Sequence, residues 1–169
     1  IVTGGASGIG NHVVTTLVKA GAKAVIVDLT VKTGEEKDGA YCVQCNVTDP
    51  ESVNAMTKAV LDKYGHIDGL VNNAGINKPR LLVDVKGEHP EYELDVKTFD
   101  QMFAVNVKGL FLVAQAVARE LIKQGHGAIV NMSSESGKEG SQGQSAYSAT
   151  KGACDSFTRS WAKELGKYG

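Results

Sequence analysis

Short apolar runs alternate along the chain with longer stretches in which apolar positions recur at helical spacing. The runs predict strands near residues 1–4, 24–28, 40–44, 68–72 and 127–133. The periodic stretches predict helices over 9–20, 50–64, 97–123 and 147–165. "AVIVD", "GLVNN" and "GAIVNMS" are almost unbroken apolar runs, the mark of strands buried on both faces. Strands of that kind alternating with helices point to a doubly wound parallel sheet between helical layers, a three-layer α/β/α arrangement in one domain. In the longest helix the apolar face is expected to comprise Phe99, Met102, Phe103, Val107, Leu110, Phe111, Ala114, Val117 and Leu121.

Two connections break the rhythm. "LTVKTGEEKDG" is barely long enough for a crossover between parallel strands, which usually takes a dozen residues or more. The stretch from Ile76 to Asp95 mixes polar and apolar residues with two prolines, and loops of that length in compact domains tend to be functional or disordered. The abrupt opening on a strand at Ile1, the short second connection and the stop at Gly169 lead us to expect further residues at these places. With nothing after Gly169, the strand "AIVNM" would form an exposed apolar edge.

The balance of residues narrows the chemistry. Apolar residues make up 42% of the 169, charged residues 22%, and the formal net charge is −1. That argues against a nucleic-acid surface or a polybasic membrane anchor. No uninterrupted apolar run approaches the ~20 residues that span a bilayer, and no secretory signal opens the chain. A cytoplasmic enzyme without a membrane partner is expected. Cys42, Cys45 and Cys154 lack the companions of a zinc site; positions three apart on a strand also face opposite ways, so these read as reduced core cysteines.

"VTGGASGIG" closes the first strand and opens the first helix. Glycines at 4, 8 and 10 let the backbone turn sharply and approach a pyrophosphate, which then faces the positive end of the helix. Asp28 ends the next strand eighteen residues after Gly10. A carboxylate there accepts ribose hydroxyls and repels a 2′-phosphate. No Arg or Lys lies in "GGASGIG", and Leu29 and Thr30 follow Asp28, so NAD is favoured over NADP.

In "SAYSATK", Tyr147 and Lys151 stand four apart, on one helical face. A free phenol ionises near pH 10 and is a poor base at neutrality. A cation within ~4–6 Å favours the phenolate, and a phenol so placed can take the proton of an alcohol as hydride leaves.

Taken together, T-G-x-x-x-G-I-G at Thr3–Gly10, "NNAG" at Asn72–Gly75, "VNV" around Asn106, "MSS" after the fifth strand and "YSATK" resemble the short-chain dehydrogenase/reductase family from end to end. The resemblance implies a Rossmann-like fold, apparently truncated at the C-terminus before further strands and a substrate loop. It implies catalytic roles for Tyr147 as acid/base, Lys151 as its modulator and ribose ligand, Ser134 (rather than Ser133) as donor to the substrate oxygen, and Asn106 as support of a water-mediated proton relay. It implies cofactor contacts from Thr3, Gly4, Ser7, Gly8, Ile9, Gly10, Asp28, Asn46, Val47, Asn73, Ala74 and Gly75, with Tyr147 and Lys151. Asn46 stands where the family commonly has an aspartate accepting from adenine; an amide oxygen can still accept, so altered affinity is expected.

"NKPRLLVD", "SSESGKEGSQGQSAYSATK" and "SFTRSWAKELGKYG" are similar to a group within that family, the bacterial sorbitol-6-phosphate 2-dehydrogenases. That similarity implies a phosphorylated polyol as substrate and NAD as cofactor. Arg80 and Lys138 are then candidate phosphate ligands, and Asn77, Glu135 and Ser136 candidate hydroxyl partners; His89 is expected to face solvent. The family likeness further implies a homotetramer assembled through helices 97–123 and 147–165. Other polyols, a 3-oxoacyl carrier-protein reductase, a sugar-nucleotide epimerase and a non-enzymatic NAD-binding regulator or scaffold are the alternatives, since fold alone does not fix function.

Overall fold

A computed structural model describes all of residues 1–169. Six strands form one sheet in the order β3-β4-β2-β1-β5-β6. They are β1 (Val2–Thr3), β2 (Val25–Asp28), β3 (Glu36–Lys37), β4 (Ala40–Gln44), β5 (Gly69–Asn72) and β6 (Ala128–Asn131). All neighbours pair in parallel except β3 with β4. The helices are α1 (Gly8–Lys19), α2 (Pro50–Tyr64), α3 (Val96–Phe103), α4 (Leu110–Gln124), the single turn α5 (Ser136–Glu139) and α6 (Ser145–Leu165).

Local chemistry sets several boundaries. Asp49 caps α2 through the N–H of Glu51, Pro50 occupies its first turn, and Gly65 ends it in the left-handed region at φ 79°. Asp95 caps α3 by accepting from the N–H and hydroxyl of Thr98 at 2.8 and 2.6 Å. Gly125 ends α4 at φ 78°.

The core divides at the sheet. One side packs Val25, Val27, Val43 and Leu70 against Val53, Met56 and Val60 of α2 and Val113, Val117 and Leu121 of α4. The other packs Val2, Ile26 and Cys42 against Val14 of α1. Cys42 and Cys45 lie in opposite clusters, and all three cysteines are buried and free. Burial pushes each thiol above its ordinary ionisation range.

Several expectations need correction. β2 is buried on both faces, while β6 is the exposed apolar edge that the sequence leads one to expect, its Val130 52% exposed. The second helical layer consists of α1, which reaches β1, β2 and β4 and leaves the flank of β6 open. The short connection after β2 contains no helix. It instead forms β3, which turns back on β4 through Asp38 (φ 54°) and Gly39 (φ 77°). Two consecutive positive φ values make the tight turn that matches strand twist, and Asp-Gly is a favoured sequence for it.

The longest helix is continuous from Val96 to Gln124, but Ala104–Gly109 winds as a π-helical turn. Met102, Leu110, Ala114, Val117 and Leu121 face inward as expected, whereas Phe99 and Phe111 are 40% and 37% exposed. By length and composition alone this helix could cross a bilayer, although no unbroken apolar run announces it; 44% of its most apolar stretch is buried inside the fold.

Candidate active site and dinucleotide cradle

The carboxyl ends of β1 and β5 are locked together by Thr3 and Asn73. The Thr3 hydroxyl accepts the N–H groups of Asn73 and Ala74, both at 3.0 Å. The Asn73 amide donates to the carbonyls of Thr3 and Gly4 at 3.1 and 3.3 Å. Over this lock runs the glycine-rich turn. Gly4 and Gly8 adopt φ 64° and 51°, and a Cβ on Gly10 would stand 2.1 Å from the carbonyl oxygen of Gly4. A side chain at position 10 would therefore occupy the turn itself. Ser7 precedes α1 without a capping side-chain bond, and Ile9 is 65% exposed beside it. Free N–H groups at a helix start, with the backbone bared by glycine, fit a pyrophosphate.

Asp28 is brought to the same turn. One carboxylate oxygen accepts from the N–H of Ala6 at 3.3 Å; the other accepts from the N–H and hydroxyl of Thr30 at 3.0 and 2.9 Å. The expectation that no cation is available near this acid is overturned. The β3–β4 hairpin folds Lys37 back until its ammonium donates to the Ala6 carbonyl at 2.7 Å. Asn46 also differs from expectation, because its amide oxygen already accepts from the N–H and hydroxyl of Thr48 at 3.1 and 2.8 Å. Val47 packs into the π turn instead: a Cβ on Gly109 would meet its Cγ2 at 2.8 Å.

At the other end of the cleft, Lys151 and Tyr147 lie one turn apart on α6. Lys151 is 8% exposed and donates to the carbonyl of Met132, just past β6, at 2.6 Å. Its ammonium sits 5.7 Å from the centre of the Tyr147 ring. Burial holds its pKa below the ordinary 10.5, with Cys154 and Asp155 pulling the other way. Ser134 shares a 3.1 Å hydrogen bond with Ser136. Ser133 donates to the Lys151 carbonyl at 3.4 Å, which ties it to the backbone. Glu135 and Lys138 are exposed at and in the short helix α5.

Asn106, buried in the π turn, is a clamp. Its oxygen accepts from the N–H of Ile76 at 2.8 Å; its amide donates to the Ile76 carbonyl at 2.8 Å and to the Thr150 hydroxyl at 3.1 Å. Thr150 in turn donates to the Tyr147 carbonyl at 2.7 Å. Both amide donors of Asn106 are thus spent within the protein. π turns of this kind are frequent at functional sites. Gly75 lies against this residue, a Cβ there reaching 3.4 Å from the Asn106 oxygen.

The long loop is pinned to the start of α6. The N–H of Arg80 donates to the Gly143 carbonyl at 2.6 Å, and the amide of Asn77 donates to the Gln144 side chain at 3.2 Å. The guanidinium lies 5.8 Å over the Tyr92 ring, with one nitrogen on the Pro79 carbonyl and the buried Nε unpartnered. His89 is exposed and bonds Glu91. Two contributors were not singled out in the sequence. Gly137 lets α5 close on α6, since a Cβ there would stand 2.8 Å from the backbone carbon of Lys151. Thr150 links the two motifs. An apolar groove lies elsewhere, between α4, β6 and α6, lined by Leu121, Ile129 and Trp161 among others.

A family model described as short chain dehydrogenase matches residues 1–169. The chain belongs to this family. It is 49% identical over 170 residues to the sorbitol-6-phosphate 2-dehydrogenase of Klebsiella pneumoniae, covering all of this chain and 64% of that one. It is 39% identical over 175 residues to a 3-oxoacyl-(acyl-carrier-protein) reductase of Thermotoga maritima, covering 98% of this chain and 67% of that one. The chain therefore spans about two thirds of the length of these curated relatives. Among solved structures, that of gox2181 superposes with a TM-score of 0.84 at 32% identity, covering 99% of this chain and 66% of that chain.

Proposed function

We propose that the chain is the dinucleotide-binding and catalytic part of an NAD-dependent dehydrogenase that interconverts sorbitol 6-phosphate and fructose 6-phosphate. The observation that carries the reaction class is Lys151, buried and held by Met132 beside the Tyr147 ring. The substrate assignment rests on the 49% identity to the Klebsiella enzyme. The bound nicotinamide supplies the hydride acceptor. Tyr147 exchanges the proton of the reacting hydroxyl, and the nearby ammonium stabilises the oxyanion in a site where burial strengthens the attraction. Ser134 donates to the substrate oxygen where charge develops. Asn106 keeps the loop after β5, at Ile76, and α6 at fixed separation and supports the proton path. Asn73, Ala74 and Gly75 line the nicotinamide side, while Thr3, Gly4, Ser7, Gly8, Ile9 and Gly10 cradle the pyrophosphate, and Asp28 flanks the adenosine.

Arg80 supports a phosphorylated substrate. Its loop is bonded to Gly143 and Gln144, immediately before the helix that carries Tyr147, and its guanidinium retains unspent donors. Lys138 offers a second cation, and Asn77, Glu135 and Ser136 offer polar groups for the hydroxyls. The exposed Phe99 and Phe111 support assembly of four subunits through α3, α4 and α6, which light scattering of the full-length protein checks by giving a tetramer mass. Three buried free thiols accord with a reducing, cytoplasmic setting.

The test is initial-rate oxidation of sorbitol 6-phosphate and of unphosphorylated sorbitol by the full-length protein. We expect a clear preference for the phosphorylated polyol, and loss of turnover in Tyr147→Phe with dinucleotide binding retained. Equal rates with every polyol offered would remove the substrate assignment. Wild-type turnover by Tyr147→Phe would remove the mechanism. A 3-oxoacyl reductase is the second reading, favoured by the 39% identity to the Thermotoga enzyme, and reduction of an acetoacetyl thioester separates it.

A further inference from the structure

The hairpin of β3 and β4 places its tip on the dinucleotide cradle. Asp38 accepts from the Asn11 amide of α1 at 2.9 Å, and Gly39 lies so near α1 that a Cβ would meet Val18 at 3.0 Å. Between these anchors and Asp28, Lys37 bonds the Ala6 carbonyl at 2.7 Å. Ala6 is thus held from both sides: its N–H by the acid that faces the adenosine ribose, its carbonyl by a cation. One residue, Ala6, links the ammonium and the carboxylate, so both charges bear on the same turn. The ammonium spends one of its three donors on Ala6 and is otherwise exposed.

Asp28 alone would repel a phosphate on the ribose 2′-oxygen, whose charge is close to −2. A lysine at the same turn offsets that repulsion and offers a point-charge partner to the phosphate oxygens. We propose that Lys37 is a specificity residue of the dinucleotide site, its ammonium taking the 2′-phosphate of NADP, so that the protein binds NADP alongside NAD. This inference rests on the dinucleotide-binding reading above and concerns only the ribose end of that site.

The experiment is direct fluorescence titration of the full-length protein with NADH and with NADPH, without substrate, at 0.05 and 0.5 M salt. We expect wild-type protein to bind both. Lys37→Met should weaken NADPH at least tenfold while changing NADH less than twofold. Lys37→Arg should retain NADPH, and Asp28→Asn should tighten it. The NADPH affinity of the wild type should also fall more steeply with salt than that of NADH. If Lys37→Met weakens both cofactors equally, the lysine only braces the turn and the proposal is overturned. If wild type binds NADH but not NADPH, the proposal fails and the NAD reading stands. If it binds neither, the cradle reading itself is wrong. Matching thermal unfolding curves confirm that the variants are folded.

Discussion

Lys151 gives its ammonium to the carbonyl oxygen of Met132, a neutral group, at 2.6 Å. A buried lysine whose hydrogen-bond partner carries no charge keeps its field free for the group beside it, and here that neighbour is the Tyr147 ring. A carboxylate in Met132's place would quench the same field. The arrangement therefore favours chemistry over stability, and its energetic signature is measurable.

Burial lowers the folded-state pKa of Lys151 from its ordinary 10.5. The native state accordingly releases this proton before the unfolded chain does. Between the lowered native value and 10.5, the unfolded state binds more protons, so stability rises with pH in that window. Below the window the buried charge weighs against folding in full. Comparing urea midpoints of wild type and Lys151→Met from pH 7 to 10, we expect the wild type to gain on the variant as pH rises. Parallel curves would show that burial places no strain on this charge.

Gly137 should not tolerate alanine. A Cβ would stand 2.8 and 2.9 Å from the Lys151 backbone carbon and Cβ and 3.0 Å from the Gly152 nitrogen. Since those are mainly backbone atoms, α5 must move off α6, at a cost of about 1–3 kcal/mol. Ser134 would move with it. Gly137→Ala should lower kcat more than it raises the KM for dinucleotide, and full activity would show that α5 is not needed for positioning.

Removing the Asn106 side chain strands both the N–H and the carbonyl of Ile76 and frees Thr150. Asn106→Ala should destabilise by on the order of 2–4 kcal/mol. Thr150→Val, of similar shape, should lose about 1 kcal/mol. Because the two share a bond, the double variant should lose less than the sum, which a denaturant double-mutant cycle reads directly. Strict additivity would separate the two motifs.

Much of the fold and of the site could be read from spacing. Tyr147 and Lys151 are four apart, so any helix there sets them on one face, and strand–glycine turn–helix followed by Asp28 fixes one end of the cleft. What escaped was tertiary in origin. Lys37 is nine residues beyond Asp28 and reaches the turn only because the hairpin folds back; the Asp38-Gly39 pair was the available signal for that hairpin. Gly137 looks like any loop glycine until α6 is placed beneath it. Met132 contributes a carbonyl, which every residue has, so no side-chain pattern marks it. Phe99 and Phe111 carry the same apolar label as Met102 and Leu110, yet they face outward. Asn46 was read by position alone, without the Thr48 that occupies its oxygen.

The π-wound turn at Ala104–Gly109 also governs which edits to the gene this protein can survive. Inward-facing Thr98, Met102, Asn106, Leu110 and Ala114 are spaced four apart, and such a series drifts by about 40° per step around an ideal α-helix. The wide turn absorbs part of that drift and keeps Asn106 in line with the core on either side. Deleting one residue there would let the turn rewind as ordinary α-helix, and the tighter winding would largely offset the lost residue's rotation, so that the helix beyond it keeps its face toward the core. An inserted residue has no such relief: it would turn Leu110, Val113 and Val117 out of the core together by about 100°, so this segment withstands shortening better than lengthening.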